Sequence, residues 1–151
     1  MLYATLFVIV LILLIIACVI YKKRKNTVSF EESFNKTGLP VVTLWHDSLK
    51  LNFLIDTGSD CNCIDKNMMK YIHYVETGKF NQVFGMAESI VSPIVNIRIS
   101  DGTYCASENF NIVDLSGTNV DRDLKIHGIL GSNFCRKAKL LIDFNKCKIY
   151  S

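Results

Sequence analysis

The tetrapeptide Asp56-Thr57-Gly58-Ser59 closes the apolar run Leu51-Asn52-Phe53-Leu54-Ile55. A carboxylate carried out of a buried strand is expensive to desolvate, so its position there calls for a use. Acid–base catalysis is the chemistry such a residue could do. The Thr, Gly and Ser behind it are small, hydrogen-bonding residues suited to a tight loop. Taken alone, the signature favours the plainer reading of a strand ending in a turn. Cys61-Asn62-Cys63 offers metal-ligand residue types, but no second Cys or His pair stands at zinc spacing. On an alternating strand Cys61 and Cys63 share one face and pack. His46 falls at a turn and reads as a solvated loop residue. His73 and His127 have no partner pattern for a Cys–His nucleophile. These residues predict no metal and no cofactor.

The elements that would position Asp56 are short strands separated by turn signals. Strands are expected over 41–45 and 50–55, joined by His46-Asp47-Ser48-Leu49, and another over 61–64. Asp65 caps a short helix over 66–70. Residues 80–100 read as a long hairpin with its tip near 85–87. Asp101-Gly102 marks a turn between that hairpin and strands at 103–106 and 110–115, and 116–125 reads as a polar loop. A buried strand over 126–130 ends at Gly131, and Ser132 or Asn133 caps a helix over 134–139. Two strands, 140–144 and 148–150, finish the chain around Asn145-Lys146. Asp143 lacks a following Thr-Gly and reads as structural. So many short strands predict an all-β, closed β-barrel with one or two short helices.

The order of these motifs is Asp-Thr-Gly-Ser, a hairpin, then His127-Gly128-Ile129-Leu130-Gly131-Ser132-Asn133-Phe134 and Leu140-Leu141-Ile142-Asp143-Phe144. It resembles the retropepsin-like aspartic proteases, the single-lobe family that includes the retroviral proteases. The resemblance covers roughly residues 40–150. It implies peptide-bond hydrolysis by a homodimer, because such enzymes need two aspartates and this chain holds one Asp-Thr-Gly. Asp56 of each copy would form the catalytic dyad, and the partners would be a second copy and a peptide or protein substrate. Thr57 would hydrogen-bond across the dimer, and Gly58 would let backbone approach carboxylate and substrate. Ser59, if its hydroxyl donates to Asp56, would favour the charged form and make the pH optimum more acidic. Phe84, Gly85 and Met86 would form the flap over bound substrate, while Asp60, Ile129, Leu130 and Gly131 would support the groove. Two features depart from the family pattern. The flap tip has one glycine, and Ser132 stands where relatives carry an Arg that pairs with the acid at position 60. An inactive module that binds an extended peptide in the same groove is the alternative.

Composition divides the chain further. Residues 2–21 are almost unbroken Leu, Ile, Val, Phe and Ala, about the 20 residues that span a bilayer. Lys22-Lys23-Arg24-Lys25 follows, so the positive-inside rule predicts a single-pass membrane protein with its domain in the cytoplasm. Ile15-Ile16-Ala17-Cys18 resembles a lipoprotein processing box, an alternative that places a lipid on Cys18 and the domain outside the cytoplasm. Without the basic block, 13 basic residues face 14 acidic ones, which excludes a nucleic-acid footprint. Five cysteines beyond residue 21, an odd number, suit reduced thiols. The expected organisation is therefore a transmembrane anchor over 1–21, a basic flank and polar tether over 22–39, and a protease domain over 40–151.

Overall fold

The computed structural model describes residues 9–14, 27–84, 89–102, 105–118 and 124–150. Alternating apolar residues make β2 (Val41–His46) and β3 (Leu49–Asp56) an antiparallel hairpin, paired from Val41↔Leu54 to His46↔Leu49. Its two-residue turn is possible because Asp47 adopts φ 52°, the left-handed region that Asp tolerates better than most residues. β4 (Cys63–Asp65) leads into a 3₁₀ turn, Lys66–Met68, where the Asp65 carboxylate accepts the Asn67 N–H at 3.1 Å. β5 (Val75–Phe84) and β6 (Ser89–Ser100) form the long hairpin, and β7 (Cys105–Val113) returns along β6. The two strands expected over 103–106 and 110–115 are this one strand, which runs unbroken from Cys105 to Val113 and sends Phe110 into the main core and Val113 into a smaller cluster on the other face. β8 (Gly128–Gly131) passes directly into helix α3 (Ser132–Lys137), followed by β9 (Leu141–Asp143) and β10 (Lys148–Tyr150).

The main sheet has seven strands in the order β2-β3-β8-β4-β7-β6-β5, with β8 parallel to β3 and antiparallel to β4. It is mixed and curled, and it corrects the expected closed barrel. Beyond its regular neighbours, β2 meets β6 through the single pair Trp45↔Ser100, which is a bridge and not a ladder. β5 stays an edge strand. One face of the sheet buries Leu51, Phe53, Ile55, Ile64, Val95, Ile97, Phe110 and Leu130, closed below by Phe134 of α3 and Ile149 of β10.

The expected tether is also corrected. Residues 27–29 form β1 (Thr27–Ser29), which pairs with β10 in a three-stranded sheet completed by β9. Helix α2 (Glu31–Thr37) follows, ended by Gly38 at φ 71°. Phe30 between them is 1% exposed and packs edge-on against Phe34 and Phe144 at 5.8 and 5.6 Å. Ser33, beneath it, hydrogen-bonds the carbonyls of Phe30 and Val41, which fixes α2 to the start of β2. Polarity misled here because a single large side chain decides the packing.

The single-pass anchor is corrected as well. Helix α1 is described over residues 9–14, and no helix among the described residues is long and apolar enough to cross a membrane. Cys18 and the basic block lie outside the described residues. His46, expected in solvent, is 4% exposed: its Nδ1 lies 2.8 Å from the Arg98 carbonyl oxygen, and its Nε2 accepts the His73 N–H at 2.9 Å.

If residues 27–39 are part of the folded core, Phe30→Ala should lower the unfolding free energy by roughly 3–5 kcal/mol, the usual cost of deleting a buried Phe. Urea denaturation measures it. A loss below about 1 kcal/mol would return this segment to the status of a tether.

Candidate active site

Asp56 is the last residue of β3 and pairs with Gly131, the last residue of the parallel strand β8. The chain leaves β3 on one side of β8 and returns as β4 on its other side. Residues 57–62 must therefore cross the end of β8, where α3 begins. This crossing joins the two sequence motifs. The Ser59 carbonyl oxygen accepts both the Ser132 N–H at 2.7 Å and the Ser132 hydroxyl at 2.9 Å. Asn133 Nδ2 donates to the Asp60 carbonyl oxygen at 2.6 Å. Asn62 Oδ1 accepts the Gly131 N–H at 3.0 Å. A methyl group on Gly131 would lie 2.5 Å from the Cys61 oxygen and 2.9 Å from that of Ser59. Contacts that close to backbone have no easy relief, so glycine is required for the loop to seat.

Within the loop, the Gly58 N–H donates to Asp56 Oδ1 at 2.9 Å, and the Ser59 N–H reaches the Asp56 carbonyl oxygen at 3.3 Å. Asp56 is half-buried, while Thr57 and Gly58 are exposed. The Ser59 hydroxyl donates to the Cys61 carbonyl oxygen at 2.9 Å, so the expected donation to the Asp56 carboxylate is corrected. Its work is on the loop's own backbone. Ser132 and Asn133 likewise hold the loop instead of capping α3, whose N-cap position is Gly131. The loop is thus tied to α3 by neutral hydrogen bonds.

The groove residues expected around Asp56 separate onto two faces. Leu130 is 1% exposed and belongs to the main core. Ile129 points the other way, onto a small cluster with Cys61, Cys63, Val83, Val113 and Leu115. Val83 brings the β5–β6 hairpin onto this cluster, whose Cys61 follows Asp56 by five residues. Phe84 is 77% exposed, and Gly85 and Met86 lie outside the described residues. Cys61 and Cys63 pack together as expected, and burial pushes the Cys63 thiol up to about 12, which removes it as a nucleophile. A cavity of about 290 Å³ lined by Val42, Leu44, Ile55, Leu130 and Phe134 opens on the core face, away from the Asp56 loop.

Two residues that position the site escaped sequence reasoning. Asn62 looked like a spacer between cysteines, yet it is buried and also donates to the Asn109 carbonyl oxygen at 3.2 Å. Alternation along 61–64 would have turned it outward, so nothing in the sequence signalled its burial. His127 joins β3 to the approach of β8: its N–H donates to the Asn52 oxygen at 2.8 Å, and its Nδ1 accepts the Asn52 N–H at 2.9 Å.

No protein-family profile matches this sequence. Among curated proteins, the retrovirus-related Pol polyprotein from transposon 412 of Drosophila melanogaster is 30% identical over 125 residues. That match covers 82% of this chain and spans 9% of the polyprotein's length. The chain is thus similar to a short stretch of a retrovirus-related polyprotein, in loose agreement with the retropepsin-like motif order.

Burial, with the Lys125 charge nearby, holds the His127 pKa below the usual histidine value. As pH falls the unfolded chain therefore takes up this proton first. The stabilisation is complete above about pH 6.5 and is lost as pH drops through the folded-state value. Urea midpoints measured at pH 7.5 and 5 should fall more for the wild type than for His127→Gln. Equal falls would remove His127 from the acid sensitivity.

Proposed function

We propose that this chain is one half of an aspartic endopeptidase, completed by a second copy, with Asp56 of each copy forming the catalytic pair. The observation that carries this reading is the delivery of one carboxylate, at the end of a core strand, onto a loop immobilised by the β8–α3 junction. The similarity to a retrovirus-related Pol polyprotein supports it, since the motif order resembles a family that includes the retroviral proteases.

In such a pair the two carboxylates lie too close for both to ionise, so they share one proton and titrate as a unit. The ionised member takes a proton from a bridging water, which attacks the scissile carbonyl carbon. The protonated member hydrogen-bonds the carbonyl oxygen and then helps protonate the leaving amine. The Gly58 N–H, already on Asp56 Oδ1, fixes the carboxylate's orientation. Exposed Thr57 would meet its counterpart in the second copy. The β5–β6 hairpin, seated by Val83, would cover an extended peptide lying across the Ile129 face.

The test is cleavage of an unbiased peptide pool by the chain across acidic and neutral pH, with sedimentation to read its oligomeric state. Wild type should cleave as a dimer, and Asp56→Asn should lose activity by at least about 10³-fold while remaining dimeric, as losing an essential acid–base group implies. A dimer that cleaves nothing, or an active Asp56→Asn, would defeat the reading. Because its hydroxyl serves the Cys61 carbonyl, Ser59→Ala should lower activity while leaving the acid limb of the pH–rate profile in place. A displaced acid limb would return that hydroxyl to the carboxylate.

A further inference from the structure

We propose that His46, Asp47 and His73 form a binding site for a divalent metal ion of the zinc class. The three potential ligand atoms lie within 4.8 Å of one another. His46 Nε2 is 3.5 Å from Asp47 Oδ2, and His73 Nδ1 is 3.2 Å from the same oxygen. A tetrahedral ion with bonds of about 2.0–2.1 Å separates its ligands by about 3.3 Å. Two of the three separations already stand near that value. The third can close through the His73 ring, whose side chain is 95% exposed.

The buried ligand is oriented in advance. A carbonyl oxygen 2.8 Å from His46 Nδ1 requires that nitrogen to carry the proton, which leaves Nε2 bare and facing Asp47 and His73. A histidine ligand held by a backbone carbonyl through its other nitrogen is a common outer-shell arrangement at metal sites. Without an ion, Nε2 accepts the His73 N–H at 2.9 Å, so binding exchanges that hydrogen bond for coordination. Asp47, an ordinary carboxylate at neutral pH, supplies the anionic ligand. Two imidazoles and one carboxylate suit zinc, nickel or copper better than magnesium or calcium.

The site lies at the opposite end of β3 from Asp56, roughly 23 Å away at about 3.3 Å per residue. The ion would not take part in peptide hydrolysis. It would tie the β2–β3 turn to the segment behind the 3₁₀ turn, and binding free energy would appear as folding free energy.

The experiment titrates the untagged full chain with Co²⁺ and Zn²⁺, reading the visible absorption of tetrahedral cobalt and the thermal midpoint. One equivalent should bind and raise the midpoint. Loss of an outer-shell partner alone costs about 10–100-fold in affinity, so His73→Ala should bind at least about 100-fold more weakly. Asp47→Asn, which keeps a residue that tolerates the turn, should do the same. Metal-free midpoints of both variants should stay close to wild type, because both side chains are largely exposed. Asp56→Asn should bind normally. Undiminished binding by His73→Ala, or no cobalt spectrum with the wild type, would overturn the proposal.

Discussion

The buried side chain of Asn62 is the interaction on which the candidate site depends. Its Oδ1 takes the N–H of Gly131 and its Nδ2 donates to Asn109, while its backbone oxygen receives both the N–H and Nδ2 of Asn111. One residue thereby fastens the loop after Asp56 to the end of β8 and to the middle of β7. A hydrogen bond of this kind adds little net stability when made, but leaving its partners unpaired in the interior costs about 1–3 kcal/mol for each. The asymmetry selects one loop position over its near alternatives. With Gly131 allowing the Cys61 and Ser59 carbonyls to approach, the loop has a single seat.

That seat explains how a polar loop can stand against an apolar sheet. β8 lies between β3 and β4, and both of its faces are packed, so its side chains are apolar on both, as Ile129 and Leu130 are. Leu130 faces the main core. Ile129 faces the small cluster under the β5–β6 hairpin. The end of β8 is where backbone groups run out of strand partners, and there the Ser132 hydroxyl, the Asn133 amide and Asn62 supply them. Neutral groups suffice because the loop presents carbonyl oxygens. An Arg–carboxylate pair would bring a desolvation cost that this arrangement avoids.

The positions of most strands and the order of the two motifs along the chain were legible because they rest on strong local signals. Alternation located β2 and β3, Asp-Thr-Gly-Ser and Ile-Leu-Gly bounded the two parallel strands, and Asp65 marked its own 3₁₀ cap. What escaped was decided by distant partners. Phe30 turns a polar segment into part of the core through contacts with Phe34 and Phe144, the latter more than a hundred residues away. His46 leaves solvent because the Arg98 carbonyl and the His73 amide satisfy both its nitrogens. Sheet closure fails because it depends on how far β2 and β6 run beside each other, and one residue pair is all they share. The apolar composition of residues 2–21 suggested a span, whereas no helix among the described residues is long and apolar enough to cross a membrane. Ser59 failed for a subtler reason. Its hydroxyl had two acceptors within the same loop, and only the loop's conformation chose the Cys61 carbonyl over the carboxylate.

The strand that carries Asp56 is held differently at its two ends. At the turn end, His46 is buried and Asp47 adopts a left-handed conformation, so that end is fixed by its own chain. At the other end β3 stops while its carboxylate is only half-buried, and Thr57 and Gly58 project beyond it. The energy spent on immobilising residues 59–62 is out of proportion to a surface turn. It makes sense if the exposed residues just before them must meet something in one fixed geometry. In the proposed pairing, a second copy of the same loop related by a two-fold axis would satisfy that need: an isologous contact sets residue against identical residue, so one well-held carboxylate would become two at a fixed separation.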